Sequence, residues 1–95
     1  MKKDVTVSIK FMPAVNDDAV HSTVHKAIKI IDKWGLVYEV GPSCTTVQGE
    51  LSDILDKINS FCSEMEKETG RFALFLDIDY CKDGISIQDK IEKYR

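Results

Sequence analysis

The side chains best placed for chemistry in this chain are acids and hydroxyls at alternate positions. Asp77 and Asp79 stand two apart, as do Thr6, Ser8 and Lys10, and Thr46 and Gln48. In an extended strand, residues two apart point to the same side, so each set shares a face. Paired carboxylates can do general acid–base work, but neither a nucleophile nor a phosphate-cradling loop accompanies this pair. What such a surface offers is recognition. Carboxylates match a positive charge, hydroxyls and amides meet a polar edge, and Phe75 supplies a ring to stack on. A small cationic heteroaromatic suits that chemistry. The plainer alternative is a solvated or subunit-covered sheet face, because half-polar faces are normal in antiparallel sheets.

His21 and His25 are four apart on a helical stretch and therefore share a face. Two ligands make a weak metal site, and Ser22 stands where an HExxH motif would carry its glutamate. No metal site is expected. Cys44, Cys62 and Cys81 are odd in number and far apart, without a CxxC, so the expectation is three reduced thiols, at least one of them in the core.

These residues must be positioned by elements that the hydrophobic pattern marks out. Val5, Val7, Ile9 and Phe11 alternate with polar residues and predict a first strand ending at Pro13. Asn16, Asp17 and Asp18 offer side-chain oxygens to cap a helix. Val20, Val24, Ala27, Ile28 and Ile31 follow at helical spacing, and Gly35 is placed as a left-handed stop. Leu36 to Val40 predicts the second strand, Gly41-Pro42 a turn, and 43–48 the third strand. Ser52 and Asp53 open a second helix with the stripe Ile54, Leu55, Ile58, Phe61, Cys62 and Met65, stopped by Gly70. Phe72, Leu74, Leu76 and Ile78 predict the fourth strand. Ser86 caps a short last helix, with Asp89 as its capping-box acid, and Ile87, Ile91 and Tyr94 give that helix an apolar side.

Strand, helix, strand, strand, helix, strand nearly fills the 95 residues. The expectation is therefore one domain, 1–95, of the α+β class: a ferredoxin-like βαββαβ sandwich. Right-handed crossovers give a four-stranded antiparallel sheet in the order 4-1-3-2, with two helices on one face. Strands two and four are its edges and invite pairing with another subunit. If Val5, Val7, Ile9, Val47, Leu74 and Leu76 face the helices, the other face carries Thr6, Ser8, Lys10, Glu39, Cys44, Thr46, Gln48, Phe75, Asp77 and Asp79. That face is expected to be open.

A formal charge of −3, with acids and bases mixed along the chain, argues against a nucleic-acid binder, which needs a basic patch to displace counterions. The RNA-binding version of such a sheet needs aromatics on its central strands, where this chain has Thr6, Ser8 and Lys10. No apolar run approaches a membrane span. The start, MKKDVTVSIKF, alternates where a signal peptide would be continuously apolar. A cytoplasmic location is expected.

The stretch Gly35-Leu36-Val37-Tyr38-Glu39-Val40-Gly41-Pro42, with Thr45 and Gly49-Glu50, resembles the small thiamine-binding proteins related to YkoF. The likeness extends over nearly the whole chain. In that family the hairpin usually reads Gly-Pro-x-Gly-Thr-x-x-Glu-Gly. This chain keeps Thr45 and Gly49 but has Cys44 for the second glycine and Gln48 for the glutamate. After Asp79 it reads Tyr80-Cys81-Lys82, where an arginine is common.

The resemblance implies a ferredoxin-like fold and a homo-oligomer, commonly a tetramer. It implies a non-enzymatic role in binding thiamine or its hydroxymethylpyrimidine moiety, with no required cofactor. On this reading Phe75 stacks, Glu39 and Asp77 supply charge, and Ser8, Thr45, Thr46 and Gln48 supply hydrogen bonds. Thr45 and Thr46 can both contribute only if the hairpin shifts parity or a bulge intervenes. The alternative is a structural or regulatory homo-oligomer that binds a protein partner or a different small ligand. An enzyme is the third reading.

Overall fold

The structure, a computed structural model, describes residues 3–94; residues 1, 2 and 95 of the expected domain lie outside that range. Its elements are β1 (Val5–Pro13), α1 (Val20–Asp32), β2 (Val37–Val40), β3 (Thr45–Gly49), α2 (Leu51–Met65), β4 (Phe72–Asp79) and α3 (Ile87–Ile91). A 3-10 turn (Asp17–Ala19) leads into α1, and another (Glu92–Tyr94) follows α3. The four strands form one antiparallel sheet ordered β2-β3-β1-β4, the expected α+β, ferredoxin-like order.

Period-two alternation decides the layers. Val5, Val7, Ile9 and Val47 turn to one side and are buried there against Ala27 and Ile31 of α1 and Ile54, Ile58, Phe61 and Met65 of α2. Burying each large apolar side chain contributes roughly 1.5–3 kcal/mol against leaving it in water. Phe61 anchors this layer. Its ring meets Phe11 edge-on at 5.6 Å and Trp34 at 6.3 Å between centroids, a favoured aromatic geometry. Cys62 packs against the same core, Cys44 is half-buried and Cys81 is exposed; all three are free thiols.

The second strand starts at Val37 rather than Leu36, the third runs Thr45–Gly49 rather than 43–48, and both helix starts and Gly70 also depart from expectation. Asn16 precedes the 3-10 turn without a side-chain cap, and α1 itself starts after Ala19, also uncapped by a side chain. Ser22 and Thr23 instead donate back to the Ala19 carbonyl, which turns the hydroxyls inward along the helix. The second helix begins at Leu51, one residue before Ser52, because Glu50 already accepts its first backbone bond, from Ile54 N–H. Gly35 has φ +74°, the left-handed stop predicted for it, whereas Gly70 does not adopt positive φ. The chain leaves α2 through Thr69, whose backbone N–H bonds the Met65 carbonyl and whose hydroxyl bonds the Arg71 carbonyl.

Candidate functional site

The strand register draws the polar face as two straight rows. Glu39 of β2 lies opposite Thr46 of β3, Thr46 opposite Ser8 of β1, and Ser8 opposite Asp77 of β4. The row carries hydroxyls at its centre and a carboxylate at each end. At about 4.8 Å per strand, the acids stand about 14 Å apart along the sheet. In the middle, the Ser8 and Thr46 hydroxyls bond each other at 2.9 Å. The neighbouring row runs Val37, Gln48, Thr6, Asp79.

The middle of that second row, at Gln48 and Thr6, is covered, while Val37 at its end stays exposed; this corrects the expectation of an open face. The short helix α3 folds back across it. Ser86 accepts from the Asp89 backbone N–H, and the Asp89 side chain accepts from the Ser86 N–H, the predicted capping box. Gln48 Oε1 accepts from the Ile87 backbone N–H at 2.9 Å, while its Nε2 donates to Asp4. Lys90 Nζ reaches Asp79 at 2.8 Å and donates to the Thr6 hydroxyl at 3.2 Å. Thr6, on the side away from α1 and α2, is consequently only 1% exposed.

Where α3 overhangs the first row it leaves a cleft of about 240 Å³. The floor is Ser8, Glu39 and Thr46 with Gly41 and Cys44 at one end, and the roof is Ile87, Lys90 and Ile91. The site is therefore an amphipathic slot, with isoleucines above and hydroxyls below, and with Glu39 and Lys90 among its lining residues.

Of the residues proposed from sequence, Ser8, Glu39 and Thr46 meet in this slot. Asp77 continues their row outside it, exposed on β4, and Phe75 lies one position further along, opposite Lys10 and 55% exposed. Gln48 holds α3 and Asp4. Thr45 does not join them. It pairs with Ile9 in a regular register and is buried on the helix-facing side, so no bulge brings it around. His21 and His25 are exposed on α1.

Sequence reasoning missed Lys90 and the roofing role of Ile87 and Ile91. The signal was present in the apolar side of the last helix, which had no assigned partner.

A family model described as thiamine-binding protein matches residues 7–95. The UPF0045 protein CPE1503 of Clostridium perfringens is 36% identical over 92 residues, spanning 94% of this chain and 95% of that one. A crystal structure from Thermotoga maritima, of a protein provisionally named for thiamine biosynthesis or salvage, is 49% identical with a TM-score of 0.95, covering 97% of this chain and 99% of that one. A Bacillus cereus domain of unknown function, DUF77, is 32% identical with a TM-score of 0.89, covering 100% of this chain and 93% of that one.

Proposed function

The chain belongs to the family of thiamine-binding proteins, and from that premise we propose that it is a non-enzymatic binder of thiamine or a related aminopyrimidine such as hydroxymethylpyrimidine. In this reading it works in the cytoplasm as a single-domain homo-oligomer, a tetramer, and needs no cofactor. The observation that carries the reading is the slot between the Ser8–Thr46 hydroxyl pair and the apolar underside of α3. A flat heteroaromatic ring seated there meets Ile87 and Ile91 on one face and hydrogen-bonding hydroxyls on the other, with Glu39 beside its amino edge.

Binding rather than turnover is favoured because the central hydroxyls bond each other. The histidines stand on α1, beyond the sheet. The slot volume is below the roughly 300–1,000 Å³ of pockets that enclose a drug-sized ligand. One ring fits inside, and the second ring of thiamine extends along the row toward Asp77 and Phe75, where a neighbouring subunit closes the site. The runner-up, a structural or regulatory oligomer with another partner, draws support from α3 already covering Gln48 and Thr6 on the polar face.

Isothermal titration with thiamine and with hydroxymethylpyrimidine tests the reading. Saturable heat is expected with at least one of them, and Thr46→Val should lose about 1 kcal/mol of that affinity through the missing hydroxyl. Absence of both heat and thermal shift at millimolar concentrations of each compound would refute it.

A further inference from the structure

The polar face holds a cation of the chain's own. Lys90 Nζ sits 2.8 Å from the Asp79 carboxylate and 3.2 Å from Thr6 Oγ1, and the same lysine forms part of the slot's wall. A positively charged guest on the Ser8 row meets the field of an ammonium one row away, and the carboxylate next to that ammonium is already engaged. The pair is not sealed: the Lys90 side chain is 37% exposed and that of Asp79 45%. Ion pairs this open are weak and separable, so a competing cation can exchange with Lys90 at Asp79. An uncharged ring has no such competition to overcome.

We propose that the Lys90–Asp79 pair sets the charge selectivity of the slot, Lys90 acting as a built-in competitor that disfavours a permanently cationic ligand relative to a neutral aminopyrimidine. This rests on the slot being the ligand site. Glu39 supplies negative charge on β2, three strands across the sheet from Asp79 on β4, so the selectivity is local to the Lys90 end. A thiazolium extending along the Ser8 row toward Asp77 lies one row from that ammonium and is repelled; a neutral ring is not. Removing either member of the pair shifts the local charge in opposite directions. Loss of Lys90 frees Asp79 to receive a cation, and loss of Asp79 leaves the ammonium unopposed.

The experiment compares thiamine with uncharged hydroxymethylpyrimidine by isothermal titration on wild type, Lys90→Gln, Lys90→Arg and Asp79→Asn, each checked for fold by circular dichroism and melting. Lys90→Gln should raise thiamine affinity by about two- to fivefold, the size expected for an exposed charge pair. Asp79→Asn should lower it, Lys90→Arg should keep the wild-type ratio, and hydroxymethylpyrimidine affinity should change less than thiamine affinity in each neutralised variant. Thiamine and hydroxymethylpyrimidine affinities rising together in Lys90→Gln would mean a loosened helix rather than a charge effect, and would overturn the inference while leaving the binding role intact. An unchanged ratio in both neutralised variants would do the same. Binding of neither compound by any of the four proteins would overturn the binding role and this inference together.

Discussion

Tyr38 shows how a single side chain can tie two layers. It stands opposite Val47 on the helix-facing side of β2, and its hydroxyl donates to Asp32 Oδ1, at the end of α1, at 2.6 Å. That hydrogen bond, then loss of water around the ring, then the negative charge of Asp32, raise the phenol above its ordinary value of 10.0. The protonated phenol is the form that bonds. A value raised in the folded state means that the contribution to stability is whole below the unfolded value and is lost as pH climbs through the folded one. We predict that Tyr38 titrates later in wild type than in Asp32→Ala, followed by NMR of the tyrosine ring carbons. Coincident titration curves would show that the contact is not formed in solution. At the same scale, Thr6 is a hydroxyl enclosed by a helix that the local sequence gives no reason to bring there.

Among the elements, α3 has the greatest consequence for its length. Its five residues are too few to hold a helix alone. It persists because a capping box closes its start and two side chains from the sheet, Gln48 and Thr6, bond its backbone and its lysine. Gln48 also gives a physical reason for the chain's departure from the family's usual glutamate. Its amide donates to Asp4 at 3.0 Å while its carbonyl oxygen accepts from Ile87. A glutamate keeps the second bond and turns the first into a repulsion between carboxylates. Gln48→Glu should therefore cost about 1 kcal/mol at neutral pH. Part of that loss should return on mild acidification as a carboxylate takes up a proton. Melting temperatures of both proteins at the two pH values check this, and an unaltered difference between them would exclude the repulsion.

For the molecule as a whole, the sheet has two outer edges, β2 and β4. The β4 edge runs for eight residues with Phe75 and Ile78 exposed and only Asp77 and Asp79 as charges. Strands of that kind pair readily with another chain unless guarded. The same surface adjoins the open end of the hydroxyl row, so association there would also extend the slot. Sedimentation velocity is expected to give a mass several times 10.8 kDa. A monomer that persists through the micromolar range would exclude the oligomer.

Alternation and helical spacing made most of the scaffold legible before any coordinates. They assigned Val5, Val7, Ile9 and Val47 to one side and Ser8, Thr46, Gln48 and Asp77 to the other, because side-chain direction in a strand depends only on position along it. They also placed Gly35 and the Ser86–Asp89 cap, whose conformations are local. Tertiary structure alone decided that Thr45 stays inside, since only the unbroken Ile9 register excludes a bulge. It alone decided that the polar face is roofed. The bonds that bring α3 over the sheet join residues 39 and 84 positions apart, and no periodicity within a segment records which distant surface its apolar side will meet.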